Sequence, residues 1–237
     1  MAEAEMTGAD ALVSTLAECG VTACFANPGT SEMNLVTALD RETRIRSVLC
    51  LFEGVATGAA DGFARVSGKP AMTLLHLGPG YLNGGANIHN ARRAHTPMVN
   101  VIGDHATYHS KYDAPLTSNI MGLAAPNSAW IRSVEKVADA GSLAADSFRA
   151  ATAGAGAPVS LILPADSAWN TGGTLGAVPK EVGRTPVEDG RIEAAIKAIK
   201  AAKKPMILVN GDALSEEGLA VASRLSQAGI RVMTDTF

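Results

Sequence analysis

A chain of 237 residues, 47% hydrophobic and 18% charged, has the profile of a globular protein with a sizeable core, not of a disordered, collagen-like or disulfide-stapled one. Its 20 basic and 23 acidic residues leave a formal charge of -3 and form no basic stripe, which argues against nucleic acid as a partner. The three cysteines, Cys19, Cys24 and Cys50, lack a C-x-x-C spacing and read as reduced thiols; no apolar run approaches the roughly 20 residues of a membrane span, and a cytoplasmic protein is expected.

In chain order, a helix is predicted after Thr7, with Leu12, Val13 and Leu16 on one stripe and Gly20 as its left-handed stop. Further helices are expected over Met33–Leu39, Glu53–Val66, Leu82–Ala94, Val134–Ala151, Ile192–Ala202 and Glu216–Ala228. Between them fall apolar runs read as strands buried on both faces: Thr22–Ala26, Ser47–Phe52, Ala71–Leu75, Met98–Ile102, Val159–Leu163 and Met206–Val209. Strands alternating with helices predict an α/β protein with a doubly wound, mostly parallel sheet. Residues 1–170 form the first domain in this reading. A Gly-, Thr- and Pro-rich linker follows over 171–190, and residues 191–237 begin a second, incomplete Rossmann-like α/β domain.

Ligands of such sheets sit beyond the carboxyl ends of the strands. Three segments there carry chemistry: Asn27-Pro28-Gly29-Thr30-Ser31-Glu32, Glu53-Gly54, and His76-Leu77-Gly78-Pro79-Gly80. Glu53 has two readings, a carboxylate favoured by the positive end of a helix, or a partly desolvated acid able to exchange a proton with a bound base. His76 is either a hydrogen-bonded core histidine or a site residue beside a glycine turn that lets a ligand approach. Thr30 caps the helix at Met33, contacts substrate, or both. The glycines from Gly78 to Gly84 miss the dinucleotide fingerprint by one position, and the i, i+4 pair His105 and His109 lacks the acidic partner of a zinc helix, so no metal site is assigned.

The segments NPGTSE, LFEGVATGAADGFARVSGKP, LLHLGPGYLNG and TPMVNVIGDH, spanning Asn27 to His105, resemble the pyrimidine-binding domain of thiamine diphosphate enzymes of the acetolactate synthase and benzoylformate decarboxylase group. GAGAPVSLILPAD is similar to the close of that domain, and the chain from Lys203 to the start of the family's middle domain. The resemblance implies decarboxylation or carboligation of a 2-oxo acid, either acetolactate synthase-like or benzoylformate decarboxylase-like. Glu53 would bond N1′ of the aminopyrimidine and so promote loss of the thiazolium C2 proton, while His76 and Thr30 would orient or protonate the substrate. Asn27, Pro28, Gly29, Gly78 and Asn83 would join Glu53 and His76 in contacting the cofactor.

The family's Gly-Asp-Gly and Asn-Asn element for Mg2+ and diphosphate has no counterpart in these 237 residues; Gly103-Asp104-His105 and Gly211-Asp212-Ala213 both lack its third glycine. Magnesium and diphosphate are therefore expected on a carboxy-terminal domain outside this chain, FAD stays open as in some synthases, and the enzyme is expected as a homodimer or homotetramer. The chain alone is expected to be inactive. Two other readings remain at this point, a non-catalytic oligomerisation module and a nucleotide-dependent oxidoreductase.

Overall fold

The computed structural model describes residues 5–180 and 186–235. Its contacts divide the chain into two compact units, Met1–Lys180 and Glu181–Phe237. The first holds α1 (Gly8–Glu18), β1 (Ala23–Asn27), α2 (Met33–Arg41), β2 (Arg46–Leu49), α3 (Glu53–Ser67), β3 (Ala71–Leu75) and α4 (Leu77–Arg93). These are followed by β4 (Met98–Asp104), α5 (Ile120–Ala124), β5 (Ile131–Ser133), α6 (Ala140–Thr152), β6 (Pro158–Pro164) and α7 (Ala165–Trp169).

All six strands are parallel, in the order β2-β1-β3-β4-β6-β5. Each parallel step needs a crossover, and the helices supply it on both faces. Successive strand residues divide between those faces: Leu74, Val101 and Leu161 join the core beneath α1, α2 and α6, whereas Leu75, Ile102 and Ile162 join Tyr81 and Ile88 of α4. The chain leaves β1 toward β2 and then recrosses to β3, so β1 and β3 flank a topological switch point.

The elements follow from local chemistry. The Thr7 side chain accepts the Asp10 N–H at 3.2 Å and opens α1. The stripe Ala56, Thr57, Ala60 and Ala64 of α3 is buried, and these small side chains let α3 lie close to α4, where the Thr57 hydroxyl reaches the Gly84 carbonyl at 3.1 Å. Gly68, at φ 67°, ends α3. The cysteines are free thiols, and burial, with the charge of Glu18, pushes that of Cys19 up to about 11.

Several sequence expectations change. The run Ser47–Phe52 is not a doubly buried strand: β2 stops at Leu49 on the sheet edge, with Leu49 72% and Leu51 92% exposed. An apolar run marks surface destined for cover as readily as surface already covered, and sequence does not tell the two apart. Helix α4 starts at Leu77 rather than Leu82, so Gly78-Pro79-Gly80 forms its first turn, where the missing N–H of proline does no harm. The helix expected from Val134 begins at Ala140, because Ile131–Ser133 pairs with β6 as β5. Of the expected linker, Thr171 bridges to Thr7, and Gly176 donates its N–H to Thr15 Oγ1 at 3.0 Å. Residues 181–185 of that linker lie outside the described residues.

The second unit comprises α8 (Asp189–Ala201), β7 (Met206–Val209), α9 (Glu216–Gln227) and β8 (Arg231–Thr234), with β7 and β8 paired in parallel. It is a partial α/β domain: neither α8 nor α9 buries a residue fully. No helix among the described residues is long and apolar enough to cross a membrane.

One polar contact crosses the centre of the main sheet. Fully buried Asn100 accepts the Thr73 hydroxyl at 2.8 Å and donates to the Val159 carbonyl at 3.0 Å. Asn100→Ala strands the Thr73 hydroxyl and leaves a void, and should destabilise the first unit by ~2 kcal/mol, read as a lower urea midpoint with unchanged m.

Candidate active site

The carboxyl ends of β2, β1 and β3 lie side by side, so the loops that follow open on one edge of the sheet. Asn27 closes β1 and donates from Nδ2 to the Cys50 carbonyl at 2.6 Å, tying the end of one strand to the loop that leads into α3. Phe52 precedes the helix in an extended conformation (φ -160°, ψ 139°), and Glu53 is its first residue. Glu53 is only 7% exposed. One carboxylate oxygen accepts the Asn83 side-chain amide of α4 at 2.9 Å. The other lies where a Cβ on Gly80 would come within 3.0 Å of it. Glu53 thus stands at the positive end of α3 and is largely withdrawn from water.

His76 follows β3 and is partly open, its side chain 23% exposed. Leu77, which follows, is held at φ 55°, a left-handed conformation that costs a leucine roughly 1–2 kcal/mol and turns the chain abruptly from strand into α4. The His76 ring lies against Gly29, where any Cβ would overlap it. Its Nδ1 is 2.7 Å from Oε2 of Glu32, a residue with no exposure that sits in the single 3-10 turn Thr30–Glu32. Oε2 also accepts the Gly29 N–H at 2.7 Å. Burial pushes the Glu32 carboxyl up, opposed by the Gly29 N–H and by His76.

The remaining expected residues divide. Thr30 is exposed, and no side-chain hydrogen bond caps the turn it opens or the helix at Met33; Glu32, reaching back to Gly29, does the work assigned to a Thr30 cap. Pro28 lines an open cavity of about 430 Å³ with Val36, Leu39, Ile45 and Val48. Gly78 packs on Ser118 and Leu123, whereas Gly80 is the glycine beside Glu53. Sequence reasoning missed Glu32 as anything beyond a turn residue and left Gly80 out of the site. Two glycines, Gly103 pressed on Glu32 itself and Gly29 on its partner His76, are the trace that Glu32 leaves in the sequence.

A buried carboxylate held by an amide and packed closely on Gly80 is compatible with a proton-exchanging heterocycle such as an aminopyrimidine. It offers no cationic cradle for a diphosphate. Among the described residues no group of three or more His, Cys, Asp or Glu side chains could hold a metal ion. His105 and His109 lie close, with ring centroids 5.7 Å apart, but lack a third ligand.

A doubly wound parallel sheet with a buried acid after its second strand is the arrangement to set beside known proteins. Residues 6–124 match the family model of the thiamine pyrophosphate enzyme N-terminal TPP binding domain. The chain belongs to that family.

A Mycobacterium tuberculosis protein named for an acetolactate synthase large subunit, IlvX, is 51% identical over 234 residues, which cover 98% of this chain and 45% of that protein. Chloroplastic acetolactate synthase of Arabidopsis thaliana is 30% identical, over 94% of this chain and 36% of its own length. The X-ray structure of a Mycobacterium smegmatis protein, described as a thiamin diphosphate-dependent enzyme, superimposes with a TM-score of 0.86 at 26% identity, covering 98% of this chain and 45% of that one. The Rhodococcus jostii 4-hydroxybenzoylformate decarboxylase shares the fold, with a TM-score of 0.84 at 21% identity over 96% of this chain and 44% of that one. The chain therefore spans less than half the length of these relatives.

The contact between Gly29 and His76 gives a direct check on the site. Gly29→Ala should displace the imidazole while leaving the sheet intact: the His76 to Glu32 hydrogen bond is lost in a crystal structure of the variant, and far-ultraviolet circular dichroism is unchanged.

Proposed function

We propose that this chain is the pyrimidine-binding half of an acetolactate synthase-like enzyme that decarboxylates a 2-oxo acid and joins the product to a second carbonyl. The observation that carries the proposal is Glu53, buried at the start of α3, held by Asn83 and left room by Gly80. Thiamine diphosphate, when bound, supplies a carbon nucleophile and an electron sink for the 2-oxo acid. The protein side of the task is proton control and exclusion of water. Glu53 would hold the aminopyrimidine ring nitrogen and supply or accept a proton there. Asn83 fixes the carboxylate orientation. Asn27 positions the loop before Glu53, and Gly29 admits the His76 ring. His76 and Thr30, at neighbouring strand ends, serve the substrate side. The decarboxylase alternative draws on the same His76, which suits proton transfer to or from a reacting oxygen.

Large apolar side chains close to Glu53 and Asn83 in sequence are open: Leu49, Leu51, Phe52, Val55 and Leu82 are 48% to 92% exposed. Such a patch argues for a covering partner, read here as a second copy in a homodimer or homotetramer, with Mg2+ and diphosphate held on a further domain. FAD is a separate question, answered by the visible absorbance of the assembled enzyme.

In the assembled enzyme with thiamine diphosphate and Mg2+, Glu53→Gln should slow exchange of the cofactor C2 proton at least ~100-fold, as followed by deuterium incorporation. Unchanged exchange refutes the role of Glu53.

A further inference from the structure

Glu32 is a buried ionisable side chain for which proton exchange at Glu53 provides no task. Its carboxyl is inaccessible to solvent, Oε2 is shared by the Gly29 N–H and His76 Nδ1 at 2.7 Å each, and Oε1 is buried without a partner. The far side is closed by Gly103 of β4, where a Cβ would overlap the carboxyl group. An unpartnered buried oxygen costs about 1–3 kcal/mol, so the placement is expensive and a purely structural acid is poorly rewarded by it.

We infer that Glu32 is a positioning residue that holds the His76 imidazole with its proton on Nδ1, leaving Nε2 as the lone-pair acceptor for a hydroxyl derived from a substrate carbonyl. The geometry carries this. Oε2 already accepts the Gly29 N–H, and both contacts have the length of hydrogen bonds to a charged or strongly polar acceptor. With Glu32 ionised, the hydrogen between Oε2 and Nδ1 belongs to the nitrogen. Burial, which pushes the carboxyl up, is opposed by the Gly29 N–H and by His76. Among the described residues Nε2 makes no hydrogen bond. In the step that follows, the Nε2 lone pair takes the proton of a hydroxyl derived from a substrate carbonyl: the O–H bond breaks, the N–H bond forms and the oxygen keeps the electron pair. The imidazolium so formed is paired with the Glu32 carboxylate, as a histidine is by the acid of a hydrolase triad.

The inference takes its chemical meaning from the proposed function, but its geometry is testable without activity. Long-range proton–nitrogen NMR on the full ¹⁵N-labelled chain, with His76→Gln to assign the signals, reads the tautomer. Wild type should show a protonated Nδ1 and a bare Nε2 for neutral His76, and so should Glu32→Gln, which keeps an acceptor oxygen. Glu32→Met, of similar volume but without an acceptor, should populate the Nε2–H form. In the assembled enzyme the Met substitution should lower kcat about 100-fold with little change in KM. A wild-type Nε2–H tautomer, or an unchanged tautomer in Glu32→Met, overturns the inference, and the wild-type spectrum decides even if that variant does not fold. Loss of the proposed function alone would leave the tautomer as stated but show no kinetic effect.

Discussion

A carboxylate stays nearly dry at the start of a helix only if a neighbouring element comes close enough to exclude water and still gives it a hydrogen-bond donor. In this chain α4 meets both demands for Glu53, and the meeting of α3 and α4 depends on small residues. Ala56, Ala60 and Ala64 let α3 settle, Gly84 accommodates the Thr57 methyl, and Asn87 donates to the Gly54 carbonyl at 2.7 Å. Bulk at these positions would separate the helices, withdraw Asn83 and admit water to the carboxylate. The strained Leu77 belongs to the same arrangement, since it starts α4 early enough for Gly80 to lie beside Glu53.

The sheet order adds a second site element. Because β1 and β3 are neighbours, Gly29 and His76 meet although they are far apart in sequence, and Glu32 reaches the imidazole from beneath. The site thus has two acids with separate surroundings: Glu53 beside exposed apolar surface at the edge, Glu32 sealed within the fold.

Much of this was legible in the sequence. The alternation of apolar runs and amphipathic stretches yields the α/β class, and strand-end position singles out Asn27, Glu53 and His76 before any coordinate is known. The elements that escape do so for physical reasons. Strand β5 has three residues, two half-buried and one exposed, too few to leave a periodic pattern. The start of α4 is hidden because glycine and proline read as a turn, although both are tolerated in a first helical turn. The pairing of Glu32 with His76 spans 44 positions and depends on Gly103, so nothing local announces it. The exposed Leu51 looks like core until the sheet edge is located, and an interface for a partner uses the same residues as a core.

The central claim is that the Glu53 carboxylate receives the pyrimidine ring of thiamine diphosphate. The most direct test is a crystal structure of the assembled enzyme with the cofactor bound. The account predicts N1′ within about 2.6–3.2 Å of a Glu53 oxygen, with Asn83 retained on the other. A pyrimidine ring bound away from Glu53, with that carboxylate still facing only Asn83 and Gly80, would contradict it.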